Sequence, residues 1–252
     1  MYTTDGSDPR LEGGAVSPNA TSISSGDVIP LTAGAVVKTR ARLGATWSAL
    51  SEGIFLVGPI ADSTNIVVSE LMYNPPGMEE EAEFIELLNV HPTDDVDLSQ
   101  VTFDGISYTF PLGVSLPAGE RIVIVKNQTV FATIYDTAGM RIAPGNYSSS
   151  LSNDGDEIVV INALGVDVQR FTYNDVPPWP AEADGDGYTL TLIAPESSPD
   201  HNVPQNWRIS VLPGGSPSTS DATMFEGDPS ADLDGDGLTA LAEYAVGTID
   251  GD

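Results

Sequence analysis

I-V-V-S-E-L-M-Y-N-P-P-G at residues 66–77 and E-F-I-E-L-L-N at 83–89 decide the fold. The first opens with a short apolar run, Ile66 to Leu71, that Asn74, Pro75, Pro76 and Gly77 bring to a stop. In the second, the two-residue period of a strand sends Phe84, Glu86 and Leu88 to one face and Glu83, Ile85 and Leu87 to the other. One of the two glutamates must therefore sit among core side chains or at their margin. A buried carboxylate needs hydrogen-bond donors or a cation, and Arg121 and Arg208 are the candidate partners.

The same rhythm runs outward from this pair. Arg121 to Val125, Glu157 to Ile161, Val166 to Tyr173 and Tyr188 to Ile193 are further short runs, separated by Gly, Pro, Asn, Asp and Ser roughly every eight to twelve residues. This predicts an all-β sandwich or barrel. Asn153 to Asp156 supplies a turn in which Gly155 takes a positive φ. Helical periodicity is confined to Val130–Tyr135, a short turn, and to Leu238–Val246, a terminal helix.

Three segments emerge. Residues 1–58 hold β-type runs at Val36–Leu43 and Ile54–Val57, and Gly58 and Pro59 begin a linker to a strand-rich body at 64–212. Residues 213–229 are rich in Gly, Ser, Pro, Thr and Asp and read as a flexible tether to a final segment at 230–252.

That final segment carries the one constellation that specifies chemistry. D-L-D-G-D-G-L-T-A-L-A-E, Asp232 to Glu243, puts acidic side chains at positions 1, 3, 5 and 12 of a twelve-residue loop with Gly237 at position 6, the spacing of an EF-hand calcium loop. Asp232, Asp234 and Asp236 would offer carboxylate oxygens and Leu238 its carbonyl. Ala240 leaves its place to a water, and Glu243 closes the shell from a helix. Gly227 and Pro229 argue against an entering helix, so this is half an EF-hand for Ca2+. The D-x-D-G at Asp184 and Asp186 lacks the closing glutamate, since position 12 is Pro195, and reads as a turn.

Composition bounds the rest. The chain of 252 residues has 40% apolar content, 9 Lys plus Arg against 37 Asp plus Glu, and a net charge of −28, which repels nucleic acid and anionic lipid and favours cations as partners. There is no cysteine, no apolar run long enough to insert in a membrane and no signal peptide, and the chain reads as a piece of a longer protein. His91 and His201 are read as surface-loop residues, and Glu79, Glu80, Glu81, Asp94, Asp95 and Asp97 as a solvated face. No nucleophile elbow, phosphate loop or dinucleotide fingerprint occurs, so no catalytic residue is assigned and no enzyme activity expected. Trp47, Trp179, Trp207 and Tyr173 are the aromatics a sugar platform would use, although core packing accounts for them better.

Beyond the two opening stretches, L-P-A-G-E-R-I-V-I-V (116–125), L-S-N-D-G-D-E-I-V-V (151–160), F-T-Y-N-D-V-P-P-W-P-A-E-A-D-G-D-G-Y-T-L (171–190) and N-W-R (206–208) complete a series that resembles the bacterial form of the lamin tail domain, an immunoglobulin-like β-sandwich. Residues 2–9, Y-T-T-D-G-S-D-P, with V-V-K-T-R-A-R and W-S at 36–48, resemble a partial chitobiase/β-hexosaminidase C-terminal-type β-domain; the strand ahead of Tyr2 is absent from the match, which predicts an exposed, unpaired edge. The last segment resembles dockerin and thrombospondin type 3 calcium repeats. These resemblances imply a non-catalytic structural, adhesion or protein-interaction module of a secreted or cell-surface bacterial protein with a calcium-binding tail. A carbohydrate-binding accessory module is the alternative, and a glycoside hydrolase the remotest reading. Oligomeric state is not fixed by the sequence.

Overall fold

The structure, a computed structural model, describes residues 1–77, 80–221, 230–232, 235 and 237–239. Residues 1–219 form one compact unit and 220–252 a second.

The first unit begins with a small sheet in the order β1-β2-β5, built from β1 (Tyr2–Thr3), β2 (Ala35–Thr39) and β5 (Ser51–Phe55), with a hairpin of β3 (Arg42–Leu43) and β4 (Thr46–Trp47) between the last two. The edge beside Tyr2 is not open as the sequence suggested. Tyr2 exchanges both backbone hydrogen bonds with Thr21, at 2.9 and 2.8 Å, so a later loop takes the place of the expected strand. Nor is Gly58–Pro59 a free linker. Asp97, 4% exposed, accepts the Val57 amide at 2.8 Å while its own amide donates to the Pro59 carbonyl at 2.8 Å. Asp97 thus leaves the solvated face to which its acidic neighbours suggested it belonged, because its carboxylate is the pin of this junction.

The body is a sandwich. One sheet runs β12-β7-β6-β15-β16, from β6 (Ile66–Met72), β7 (Phe84–Asn89), β12 (Arg121–Val125), β15 (Leu190–Leu192) and β16 (Trp207–Ile209). The other runs β10-β9-β13-β14, from β9 (Thr102–Asp104), β10 (Tyr108–Thr109), β13 (Asp156–Ile161) and β14 (Asp167–Tyr173), with β8 (Val96–Asp97) and β11 (Ser115–Leu116) pairing at one margin. Leu71, Ile85, Leu87, Ile122 and Ile124 of the first sheet face Phe103, Ile158, Val160, Phe171 and Tyr173 of the second in one continuous core. Each such side chain stabilises the fold by roughly 1.5–3 kcal/mol through water exclusion.

The outer face of the five-stranded sheet is covered as well, which the alternation of the sequence could not foretell. A short helix, α1 (Gln128–Ile134), capped by the Asn127 side chain accepting from Thr129 and Val130, lays Phe131 edge-on to Phe84 at 5.8 Å beside Met72, Val123 and Val125. Both faces of β7 are therefore interior, and all six of its residues are buried. The glutamate dilemma resolves in favour of both: Glu83 and Glu86 are each 1% exposed. Pro213 to Thr219, read from composition as the start of a loose tether, instead crosses this same face as a strap hydrogen-bonded to the sheet.

Candidate functional site

Of the predicted calcium ligands, Asp232 and Leu238 are described, whereas Asp234, Asp236 and Glu243 lie outside the described residues, as does Ala240. Asp232 is exposed and gathers the loop about its carboxylate. The Gly235 amide donates to Oδ1 at 2.8 Å and the Gly237 amide to Oδ2 at 3.2 Å. Positions 4 and 6 of the loop are thereby turned toward position 1, each carboxylate oxygen keeping a further lone pair for a cation. Carboxylate oxygens are the ligands a hard divalent cation would take.

The chemistry that sequence reasoning missed is the ionisable strip beneath the strap. Glu70 on β6 and Glu86 on β7 are register partners, and both are 1% exposed. A β-bulge between Val68 and Glu70 turns the Ser69 hydroxyl onto Glu86 Oε1 at 2.6 Å, where Arg121 Nε also lies at 3.2 Å. Thr189 donates to Glu70 Oε1 at 2.6 Å. From the strap, the Ser216 amide reaches Glu70 Oε1 at 2.9 Å and the Ser218 amide reaches Glu86 Oε2 at 2.6 Å. Burial first, and the adjacent Glu70 charge second, raise the Glu86 pKa far above the ordinary carboxylate value. A glutamate inside an otherwise apolar run, I-V-V-S-E-L, was the available signal.

Of the two predicted partners of the buried glutamate, Arg121 is the one found on Glu86, and Arg208 Nη1 donates to the Ile209 carbonyl at 2.8 Å. Glu83 has its own set on the other face. It accepts from the Tyr147 hydroxyl at 3.0 Å and the Leu151 amide at 2.8 Å, with Lys126 Nζ at 3.3 Å. Burial is the leading influence here too and raises its pKa. These carboxylates stitch loops to strands.

Both histidines bond to backbone groups. His201 is 3% exposed, not a surface-loop residue, because its loop folds back over β6 and sets Nε2 3.2 Å from the Val68 amide and 3.1 Å from the Val68 carbonyl, beside the bulge. Burial pulls its pKa down to about 4. His91 Nδ1 accepts the Asp94 amide at 2.9 Å and so closes its own turn. A shallow pocket of about 300 Å³ lies between His91, Leu88, Pro92, Gly119, Arg121 and Glu196, but its imidazole is committed to that turn and its guanidinium to Glu86. The aromatics of the sugar-platform reading are mostly interior: Trp179, Trp207 and Tyr173 are 8%, 3% and 0% exposed, with Phe171 stacked on Trp207 at 5.6 Å. Among the described residues, no three His, Asp or Glu side chains converge as a metal site.

Compared with known proteins, residues 59–175 match the lamin tail domain family. No curated protein and no solved structure matches significantly. The match supports an immunoglobulin-like, non-catalytic module for this stretch. The sheet itself extends past it, since β15 pairs with β6 and β16 with β15.

Proposed function

We propose that the chain is a non-catalytic interaction module of a secreted or cell-surface bacterial protein, a lamin-tail-like sandwich bearing a C-terminal loop that binds Ca2+. The observation that carries the calcium reading is Asp232 collecting the amides of loop positions 4 and 6 within the D-x-D-x-D-G-x-x-x-x-x-E spacing. A single loop without a paired neighbour has little to preorganise it, which places its affinity with extracellular modules, Kd about 0.1–1 mM. Free calcium reaches that concentration outside cells, which is why the compartment and the site support one another.

The interaction role rests on how the sandwich spends its ionisable groups. Glu70, Glu83, Glu86, Asp97 and His201 are all engaged by structural donors or acceptors. The sugar-binding alternative loses three of its four aromatics to the interior. Titration calorimetry with CaCl2 tests the proposal: the wild type gives saturable heat at millimolar calcium and Asp234→Ala gives none. Absence of calcium heat in the wild type, or equal heat in Asp234→Ala, refutes the site. Retention on a glycan array would replace protein interaction with carbohydrate binding.

A further inference from the structure

The strap from Pro213 to Thr219 buries Pro217 and makes several polar contacts to the sheet, three of which end on the carboxylates of Glu70 and Glu86. Ser216 binds Glu70 through its amide at 2.9 Å and its hydroxyl at 3.2 Å, and the Ser218 amide binds Glu86 at 2.6 Å. Its other ties are Tyr135 OH to the Gly214 carbonyl at 2.8 Å, the Gly214 amide to the Gly187 carbonyl at 2.6 Å and the Arg141 amide to Ser218 Oγ at 3.2 Å. The apolar residues leading into it, Val211 and Leu212, are 44% and 65% exposed. Gly215 passes so close to the sheet that a Cβ would stand 2.0 Å from Glu70 Oε1 and 2.6 Å from Thr189 Cγ2, at a φ of +72°. At Gly215 the strap backbone therefore lies directly against Glu70 and Thr189.

We propose that residues 213–219 are a proton-operated latch, shut while the Glu70/Glu86 pair holds a proton and opening as the pair loses it. The reason is linkage. A shut strap buries two neighbouring carboxylates, which favours the protonated pair and outweighs the smaller, opposite pull of the Ser218 amide on Glu86, and lifting the strap hydrates them and lets both ionise. Burial and the Glu70 charge push Glu86 up to about 8 with the strap in place, against an ordinary value of 4.5. The shut state therefore binds a proton more tightly than the open one. Its advantage is full below the open-state value, declines as pH rises through the interval and is gone above the shut-state value.

The surrounding charges do not alter that sign. Arg121 of β12 stands on Glu86, and Arg208 of β16 lies across the ladder from Thr191 on the same face as the pair. Tyr135 beyond α1 stays a phenol, since burial and then the Glu70 charge raise its pKa. His91 shares a pocket with Arg121 but bonds within its own turn.

Amide hydrogen exchange by NMR, corrected for intrinsic rates, tests the latch on the whole chain. Between pH 5 and 8 the exchange of the Ser216 and Ser218 amides should accelerate by up to about tenfold per pH unit, the signature of one linked proton. It should run faster throughout than that of Ile124 in the core, which reports global unfolding. In Glu86→Gln or Glu70→Gln the dependence should weaken, since one buried carboxylate remains, and in the double variant Glu70→Gln/Glu86→Gln it should vanish. Strap amides that exchange no faster than Ile124, a corrected rate flat with pH in the wild type, or an undiminished slope in whichever of these variants folds would each overturn the proposal.

Discussion

At the scale of single residues, the polar interior is almost fully satisfied among the described residues, and where it is not, or where it is satisfied by a titratable group, behaviour can be predicted. His201 is buried neutral, with its pKa lowered from 6.5 to about 4. A lowered histidine pKa means that the folded state refuses a proton which the unfolded chain accepts, so stability is intact above pH 6.5 and is lost as pH falls toward 4. At 1.36 kcal/mol per pH unit the loss is about 3 kcal/mol. Urea titrations from pH 7 to 4 should show this decline, and His201→Gln should show a shallower acid limb; identical limbs would remove His201 as its cause. Tyr73 presents the opposite case. Its hydroxyl is, among the described residues, the one buried side-chain polar atom without a hydrogen-bond partner. Tyr73→Phe should therefore leave stability unchanged or raise it by about 1–2 kcal/mol, and a loss of more than about 1 kcal/mol in thermal unfolding would reveal a bonded hydroxyl.

At the scale of elements, the longer strands of the sandwich were legible because their apolar runs are short and bounded by turn residues, whereas the two- and three-residue strands between Val96 and Leu116 were not. Arg121–Val125 is β12 to the residue, and Ile66–Leu71, Phe84–Leu88 and Val166–Tyr173 fall within a residue of the observed strands. Gly155 has its anticipated positive φ, +95°, and a Cβ there would approach the Tyr173 carbonyl to 2.6 Å, so both conformation and space demand glycine. What could not be read was the outer layer. Strand alternation assigns side chains to two faces but not a cover to each, and so neither α1 over Phe84 nor the strap over Glu70 and Glu86 was foreseeable from period alone. A seven-residue helix has little stability of its own and exists here because Phe131 and Phe84 exclude water together. Phe131→Ala should cost about 3–5 kcal/mol, and hydrogen exchange should find α1 losing protection before β7. Unchanged α1 protection would mean that the Asn127 cap rather than packing holds the helix. The proposed calcium loop is read on a different basis, since ligand spacing is written directly in sequence while tertiary cover is not.

At the scale of the whole molecule, charge sets the terms. Thirty-seven acidic against 9 basic residues leave a net charge of −28, and even complete pairing of every cation would leave 28 carboxylates facing one another or solvent. The exposed pairs do little to offset this; Arg170 bridges Glu157 and Asp167 with all three side chains about half exposed, a geometry that contributes at most about 1 kcal/mol in water. Self-repulsion should therefore dominate the response to salt, and the melting temperature should rise from 10 to 150 mM NaCl as the screening length shrinks from roughly 30 to 8 Å. Diffuse screening and a built calcium site predict different things at matched ionic strength. Screening makes CaCl2 and NaCl nearly equivalent and is indifferent to one aspartate among 37 acidic residues. A site makes calcium act at millimolar concentration with saturation, and Asp234→Ala then abolishes the saturable part while the NaCl response persists. If that substitution leaves the calcium response whole, the ion is acting as counter-charge to the entire acidic surface, and the C-terminal loop has no special claim on it.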